Sequence, residues 1–272
     1  MLKHLGKSSL LHFGILENNM QPDIPQLLEI AIAAGEAILT VYNNPQEAQL
    51  IRQKTDESPL TLADEASHTI IDQRLQVLTP GVPVLSEEGA AIPYEVRREW
   101  EYYWCVDPLD GTKEFISRNG EFTVNIALMN RNIPVLGVIY VPVTGELYYG
   151  GPEIGSFKKN LGEEARPLHV EADATEWIAI GSRSHASPEE QAVLNKYPVV
   201  KTVSAGSSLK FCLLAEGKVH LYYRHNPTME WDTAAGQAIV AGSGGIMTMP
   251  NGEPFRYNKE SLLNGGFICK VR

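Results

Sequence analysis

Asp107 and Asp110 stand close together in the run Trp104-Cys105-Val106-Asp107-Pro108-Leu109-Asp110-Gly111-Thr112-Lys113-Glu114-Phe115, where an apolar, strand-like stretch ends in acids, a glycine and a threonine. Pro108 fixes its own φ and has no N–H, so the strand is expected to stop there and turn. Two carboxylates at one strand end repel each other in partly dry surroundings and coexist only with a cation. A set of ligands made only of oxygen suits Mg²⁺, which leaves its remaining positions to water and phosphate. Gly111 and Thr112 are expected to open a turn or short helix whose unpaired N–H groups can hold phosphate oxygens. The chemistry these residue types predict is metal-assisted work on phosphate. The plainer alternative is an Asx-turn whose second Asp caps a helix.

Three further acids lie at expected element ends: Asp64, Glu87 and Asp232. Taken singly, each has an ordinary role. Asp64 would be a surface helix residue, and Glu87-Glu88 a solvated turn. Asp232 would be the N-cap of a helix beginning Thr233-Ala234-Ala235-Gly236. Competing motifs fail: the acids do not fit an EF-hand loop, and GxxxxGK[ST], HExxH and GxSxG do not occur. Gly242-Ser243-Gly244-Gly245 follows a helix instead of a strand and terminates it.

These acids must be positioned by the elements around them. Apolar residues from Ile24 to Tyr42 recur at helical spacing, with Asp23 as N-cap and Pro25 in the first turn. A second amphipathic helix is expected from Leu62 to Leu78, ended by Thr79-Pro80-Gly81. Val82–Leu85 reads as a short strand running into Ser86-Glu87-Glu88-Gly89. Strands over Tyr102–Val106, Phe122–Met129, Val135–Val141 and Glu146–Tyr149 have short connections and predict an antiparallel meander. Beyond residue 165, strands (Trp177–Ile180, Val219–Tyr223) alternate with helices (Pro188–Asn195, Ser208–Glu216, Thr233–Ala241). Helices, then an antiparallel sheet, then an α/β segment predict an α/β (α+β) protein. Residues 21–165 would form an α+β half with the main acid motif. Residues 166–272 would form an α/β half contributing Asp232, and the two would pack as one unit.

The chain has 272 residues, 43% of them apolar, and a net charge of −10. The acidity excludes a protein that coats nucleic acid, and an anionic substrate would need local cations. No run of about 18 apolar residues predicts a membrane span. Cys105, Cys212 and Cys269 are isolated in apolar runs, which predicts buried free thiols in a reducing compartment. Residues 1–20 are expected to be a disordered extension or an upstream start, with Met20 just before the first helix. Lys3, Lys7 and the short apolar run Leu10–Leu16 imitate a targeting signal but lack its cleavage site.

Ser86-Glu87-Glu88, Asp107-Pro108-Leu109-Asp110-Gly111-Thr112 and Trp231-Asp232-Thr233-Ala234-Ala235-Gly236 resemble, in order and separation, three signatures of the inositol monophosphatase superfamily. The resemblance runs from about Asp23 to the C-terminus. Within the superfamily, Asp110–Ile116, Arg118–Asn125, Ser182-Arg183-Ser184-His185 and Gly206–Phe211 resemble the 3′(2′),5′-bisphosphate nucleotidases. Inositol-phosphate enzymes read G-T-T-N-F where this chain has Gly111-Thr112-Lys113-Glu114-Phe115.

The resemblance implies a layered αβαβα sandwich with its site between the halves. It implies two or three Mg²⁺ ions: one on Glu87, Asp107 and the Leu109 carbonyl, one on Asp107, Asp110 and Asp232, and a weaker third beside Glu87. Asp64 would pair with Thr112, and these two with Glu87 would orient the attacking water. Gly111 and Thr112 would hold the phosphate, and His185, Ser208 and Lys210 the rest of a nucleotide. The implied reaction is hydrolysis of adenosine 3′,5′-bisphosphate to AMP and phosphate, linked to sulfate assimilation and sensitive to Li⁺. 3′-Phosphoadenylyl sulfate would be a second substrate. Hydrolysis of inositol or sugar phosphates, and a non-catalytic metal-dependent nucleotide sensor, remain as alternatives. A monomer or homodimer in the cytoplasm is implied, with a small-molecule nucleotide as partner and no nucleic acid. Attachment to the inner face of a membrane would rest on resemblance alone.

Overall fold

The structure, a computed structural model, describes residues 20–44, 46–47, 50–53, 59–181 and 188–272. Two helices form the first layer. The helix Ile24–Tyr42 is capped by Asp23, whose carboxylate accepts from the Gln26 N–H at 3.1 Å, and it buries Leu27, Ala31, Ala34 and Ile38 on one face. Although it is long and apolar enough to cross a membrane, that face is packed into the core. The helix Leu62–Leu78 starts where the sequence predicts, with Thr61 as its N-cap, and lies against the first.

Both helices cover one face of a seven-stranded sheet. Its order is Val84–Ser86, Tyr102–Asp110, Thr123–Asn130, Ile133–Val141, Glu146–Gly151, Gly155–Asn160 and Arg166–Leu168. The first pair is parallel and the rest antiparallel. The expected meander is present, with two further strands that polar and glycine residues had hidden. Trp104 and Val106 face the two helices, whereas Tyr103 and Cys105 face the opposite side. A sheet buried on both faces makes its strands nearly continuous apolar runs.

Helices Leu209–Ala215 and Ala234–Gly242 form the middle layer. Beyond them is a five-stranded sheet ordered Val199–Ser204, Trp177–Gly181, Leu221–Arg224, Phe267–Lys270 and Ile246–Thr248. Its other face, with Ala179, Leu221, Tyr223 and Ile268, packs against Val193 and Leu194 of the helix Pro188–Leu194. The layering is therefore αβαβα. The three cysteines are buried and free.

One expectation fails at the acid motif. The strand Tyr102–Asp110 does not stop at Pro108. Asp107 pairs with Asn125 and Asp110 with Thr123, so four residues oppose three and a bulge absorbs the extra one. A bulge tolerates proline because the missing donor is not needed there.

Glu216, just after the helix Leu209–Ala215, ties the middle layer to the sheet. Its carboxylate accepts from Tyr148 Oη (2.8 Å), Lys158 Nζ (3.3 Å), Arg166 Nη2 (2.8 Å) and Lys218 Nζ (3.1 Å). Burial alone would raise its pKa, but the Tyr148 hydroxyl and the Lys218 and Lys158 ammonium groups hold it below the ordinary 4.5. A depressed folded-state pKa stabilises the fold above the unfolded value, and that stability is lost as pH falls through the folded one. Glu216→Gln should cost about 2 kcal/mol at pH 7, since it leaves buried donors poorly paired. The difference from wild type should shrink to nothing on acidification below the ordinary glutamate range. Urea melts at several pH values check this; a pH-independent difference would refute the charge account.

Candidate active site

The bulge turns Asp107 and Asp110 toward the same end of the sheet. Ser67 of the second helix secures it by donating to the Pro108 carbonyl at 2.7 Å. The neighbouring parallel strand Val84–Ser86 extends one more residue, with the Glu87 N–H bonded to the Val106 carbonyl at 3.1 Å. This places Glu87 beside Asp107. Asp64 arrives from the first turn of the second helix, where its Oδ2 accepts from the N–H (2.8 Å) and hydroxyl (2.6 Å) of Thr61. It is 1% exposed, so it is not the surface helix residue that its position alone would suggest.

Asp232 comes from the other end of the chain. Its Oδ2 reaches back to the Met229 N–H at 2.8 Å, and Thr233 occupies the N-cap of Ala234–Gly242. The simple capping alternative for Asp232 is thereby excluded. The preceding Glu230 is fully buried and moors this turn through the N–H groups of Asn258 (2.7 Å) and Lys259 (3.1 Å) and the Lys259 ammonium.

The electrostatics show that the acids share one region. Burial, and then the charges of Glu87, Asp110, Asp232 and Asp64, push the Asp107 carboxyl well above its usual range. Burial and Asp110 do the same to Asp232, opposed by its bond from Met229. Asp107, Asp110 and Asp232 each commit one oxygen: Asp107 Oδ1 to the Leu109 N–H, Asp110 Oδ2 to Ser208 and Asn125, and Asp232 Oδ2 to Met229. Among the described residues, their second oxygens accept no hydrogen bond. Crowded carboxylate oxygens without donors call for a cation, so the donor set fits a hard divalent ion. Among the described residues, the acids do not form a closed cluster of three or more ligating side chains.

Gly111 takes φ +93°, and the short helix Thr112–Ile116 begins after it. The Thr112 hydroxyl lies 3.4 Å from Asp64 Oδ1 and 3.5 Å from the Leu109 carbonyl. Asp64 and Thr112 are thus brought together in a long contact.

A cavity of about 190 Å³ opens beside Asp110, Gly111 and Asp232. Lys113, Lys210 and Arg224 supply its cationic groups, and Phe211 and Tyr222 its aromatic ones. Lys210 is buried, with Nζ donating to the carbonyls of Ser207 (2.5 Å) and Ala205 (3.2 Å). Burial lowers its pKa to about 8, although Asp110 pulls it upward. A larger hollow of about 630 Å³ along the first helix is lined mainly by apolar groups such as Leu28, Ile32 and Phe157, with Glu29, Glu164 and Lys159 as its charged residues.

Two nominated substrate residues stand differently. His185 lies outside the described residues. Ser208 is 1% exposed, and its hydroxyl donates to Asp110 at 2.6 Å. Sequence reasoning overlooked Ser67, Asn125 and Glu230. For Asn125, a buried polar residue inside the apolar run Phe122–Met129 was the available signal. Ser67 and Glu230 gave none, since their partners are distant in sequence.

The sequence matches the inositol monophosphatase family over residues 19–269, and the chain belongs to that family. It is similar to proteins named 3′(2′),5′-bisphosphate nucleotidase CysQ: at 47% identity to that of Escherichia coli K12, over 91% of this chain and 99% of the relative, and at 47% to that of Salmonella typhimurium, over the same shares. A crystal structure of CysQ from Bacteroides thetaiotaomicron superposes with a TM-score of 0.79 at 44% identity, covering 91% of this chain and 96% of that one. An inositol monophosphatase from Anabaena shares the fold, with a TM-score of 0.70 at 24% identity. Membership of the family implies a divalent metal in the working site.

Proposed function

We propose that this protein is a Mg²⁺-dependent 3′(2′),5′-bisphosphate nucleotidase that hydrolyses adenosine 3′,5′-bisphosphate to AMP and phosphate. The observation that carries the reading is the charge coupling of buried Asp107 to Asp110 and Asp232, each with one oxygen lacking a donor among the described residues, where Asp110 and Asp232 line a cavity bearing Lys113, Lys210 and Arg224. The likeness to the bisphosphate nucleotidases over nearly the whole chain supports the same substrate.

Glu87, Asp107, the Leu109 carbonyl, Asp110 and Asp232 would hold two ions. Bound there, Mg²⁺ supplies charge neutralisation for the phosphate and acidifies water. Thr112, facing Asp64, and Glu87 orient the attacking water, whose one proton passes through the Thr112 hydroxyl to Asp64 as that hydroxyl hands on its own. The N–H groups of Gly111 and Thr112 hold equatorial phosphate oxygens as negative charge builds up. Lys210 and the neighbouring cations offset the second phosphate in a chain whose net charge is −10. Action in the cytoplasm on a small nucleotide fits the reduced cysteines. 3′-Phosphoadenylyl sulfate, which carries the same 3′-phosphate, would be a second substrate.

Phosphate release from adenosine 3′,5′-bisphosphate and from inositol 1-phosphate tests the proposal, with Mg²⁺ or EDTA and with Asp110→Asn. The nucleotide should be hydrolysed at least about tenfold faster than inositol 1-phosphate, with activity abolished by EDTA and reduced about 100-fold or more by the variant. Preference for inositol 1-phosphate would overturn the substrate, and metal-dependent binding without turnover would make the protein a sensor.

A further inference from the structure

Asp110 is held by side chains from two separate parts of the chain. Ser208 Oγ donates to Asp110 Oδ2 at 2.6 Å, and Asn125 Nδ2 donates to the same oxygen at 3.1 Å. Asn125 Nδ2 also donates to Ser208 Oγ at 2.9 Å, which occupies a lone pair of that hydroxyl and leaves its proton for an acceptor. The Thr123 hydroxyl donates to Asn125 Oδ1 at 3.0 Å and so fixes which end of the amide faces Asp110. Among the described residues, the alternative acceptor for the Ser208 proton is the Asp232 carbonyl at 3.0 Å, a longer and uncharged partner. Thr123, Asn125 and Ser208 are at most 1% exposed, and none of them lines the cavity. Their side-chain contacts with the site are to Asp110 and, from Ser208, to the Asp232 carbonyl. Both donors fall on Oδ2, so the carboxylate is locked in one rotation with Oδ1 left over.

We propose that Asn125 and Ser208 are positioning residues that pin Asp110 by one oxygen and keep the other available to a divalent cation. Metal affinity then depends on contact between the strand Thr123–Asn130 and the segment leading into the helix Leu209–Ala215. The inference rests on the reading of Asp110 as a metal ligand.

Calorimetric titration of Mg²⁺ and Mn²⁺ into the substrate-free protein tests it, for wild type, Ser208→Ala, Ser208→Cys, Asn125→Ala and Asp110→Asn. The nucleotide KM is measured alongside at saturating metal, and a melting curve verifies that each variant folds. Ser208→Ala and Asn125→Ala should each weaken metal binding about tenfold, within the range typical of groups that orient a ligand. Ser208→Cys, with its weaker donor, should fall between Ser208→Ala and wild type, and KM should move less than about twofold. Should Ser208→Ala not fold, Asn125→Ala and Ser208→Cys decide the question. Wild-type metal affinity in the Ser208 and Asn125 variants, with Asp110→Asn impaired, overturns the inference alone. A raised KM with unchanged metal affinity makes Ser208 a substrate contact and also overturns it. Unchanged metal affinity in Asp110→Asn overturns the reading of Asp110 beneath it.

Discussion

Asp107→Asn is expected to reduce turnover of adenosine 3′,5′-bisphosphate by about a thousandfold or more, equivalent to about 4 kcal/mol of lost transition-state stabilisation. In metal-free buffer the same variant should melt higher than wild type. The two effects have one cause. Asp107 is 1% exposed and faces the charges of Glu87, Asp110, Asp232 and Asp64. Such a carboxylate opposes folding until a cation offsets the repulsion, and an amide of the same shape removes the penalty. A gain of about 1–2 kcal/mol, or a few degrees in Tm, is in scale for one relieved acid in a domain of this size. Turnover assays and calorimetric melts in EDTA and in Mg²⁺ measure both effects. Added Mg²⁺ should raise the wild-type Tm more than that of the variant, because binding to the folded state alone stabilises it. Retained turnover would remove Asp107 from the site. A lower melting temperature in EDTA would show that the carboxylate supports the fold instead of straining it.

Gly137→Ala should destabilise the protein by about 3 kcal/mol, at the upper end of ordinary overpacking. A Cβ there would lie 2.3 Å from the Ala235 carbonyl oxygen and 2.9 Å from its carbon. Both atoms are backbone, so a rotamer change cannot relieve the clash, and strand Ile133–Val141 or helix Ala234–Gly242 must move. That helix follows directly on Asp232 and Thr233, so displacing it should also cost about tenfold in kcat through misplacement of Asp232. Gly265→Ala is the control: nothing lies within 4 Å of its added Cβ, and stability should stay within about 0.5 kcal/mol. Chemical denaturation together with kcat measurements separates the possibilities. Loss of stability with full kcat would show that the helix repacks without carrying Asp232 along.

The extent to which the sequence revealed this protein varied with how local each signal was. The helix Ile24–Tyr42 was legible from its period, its Asp23 cap and Pro25. The helix Leu62–Leu78 was legible from its period and from Thr79-Pro80-Gly81. Both are written in contacts three or four residues apart. Strands Val199–Ser204 and Phe267–Lys270 were not, since they become strands by pairing with partners far along the chain. Pro108 misled for a related reason. It forbids a regular central strand, but a bulge is decided by the register against Thr123–Asn125, which the strand's own residues do not show.

The candidate site divides in the same way. Residue types and their order within three short motifs, as read against known relatives, were enough to nominate Glu87, Asp107, Asp110 and Asp232, because the need of clustered oxygens for a cation is chemical and local. Only the tertiary structure decided that Asp64 is buried against Thr61 and Thr112, that Ser208 turns onto Asp110, and that Glu230 moors the Asp232 turn. Each of those depends on a hydroxyl or carboxylate meeting a partner brought in by chain packing. A hydrogen bond forms only when its groups lie within about 3 Å and in line, and that distance is set by how the layers stack.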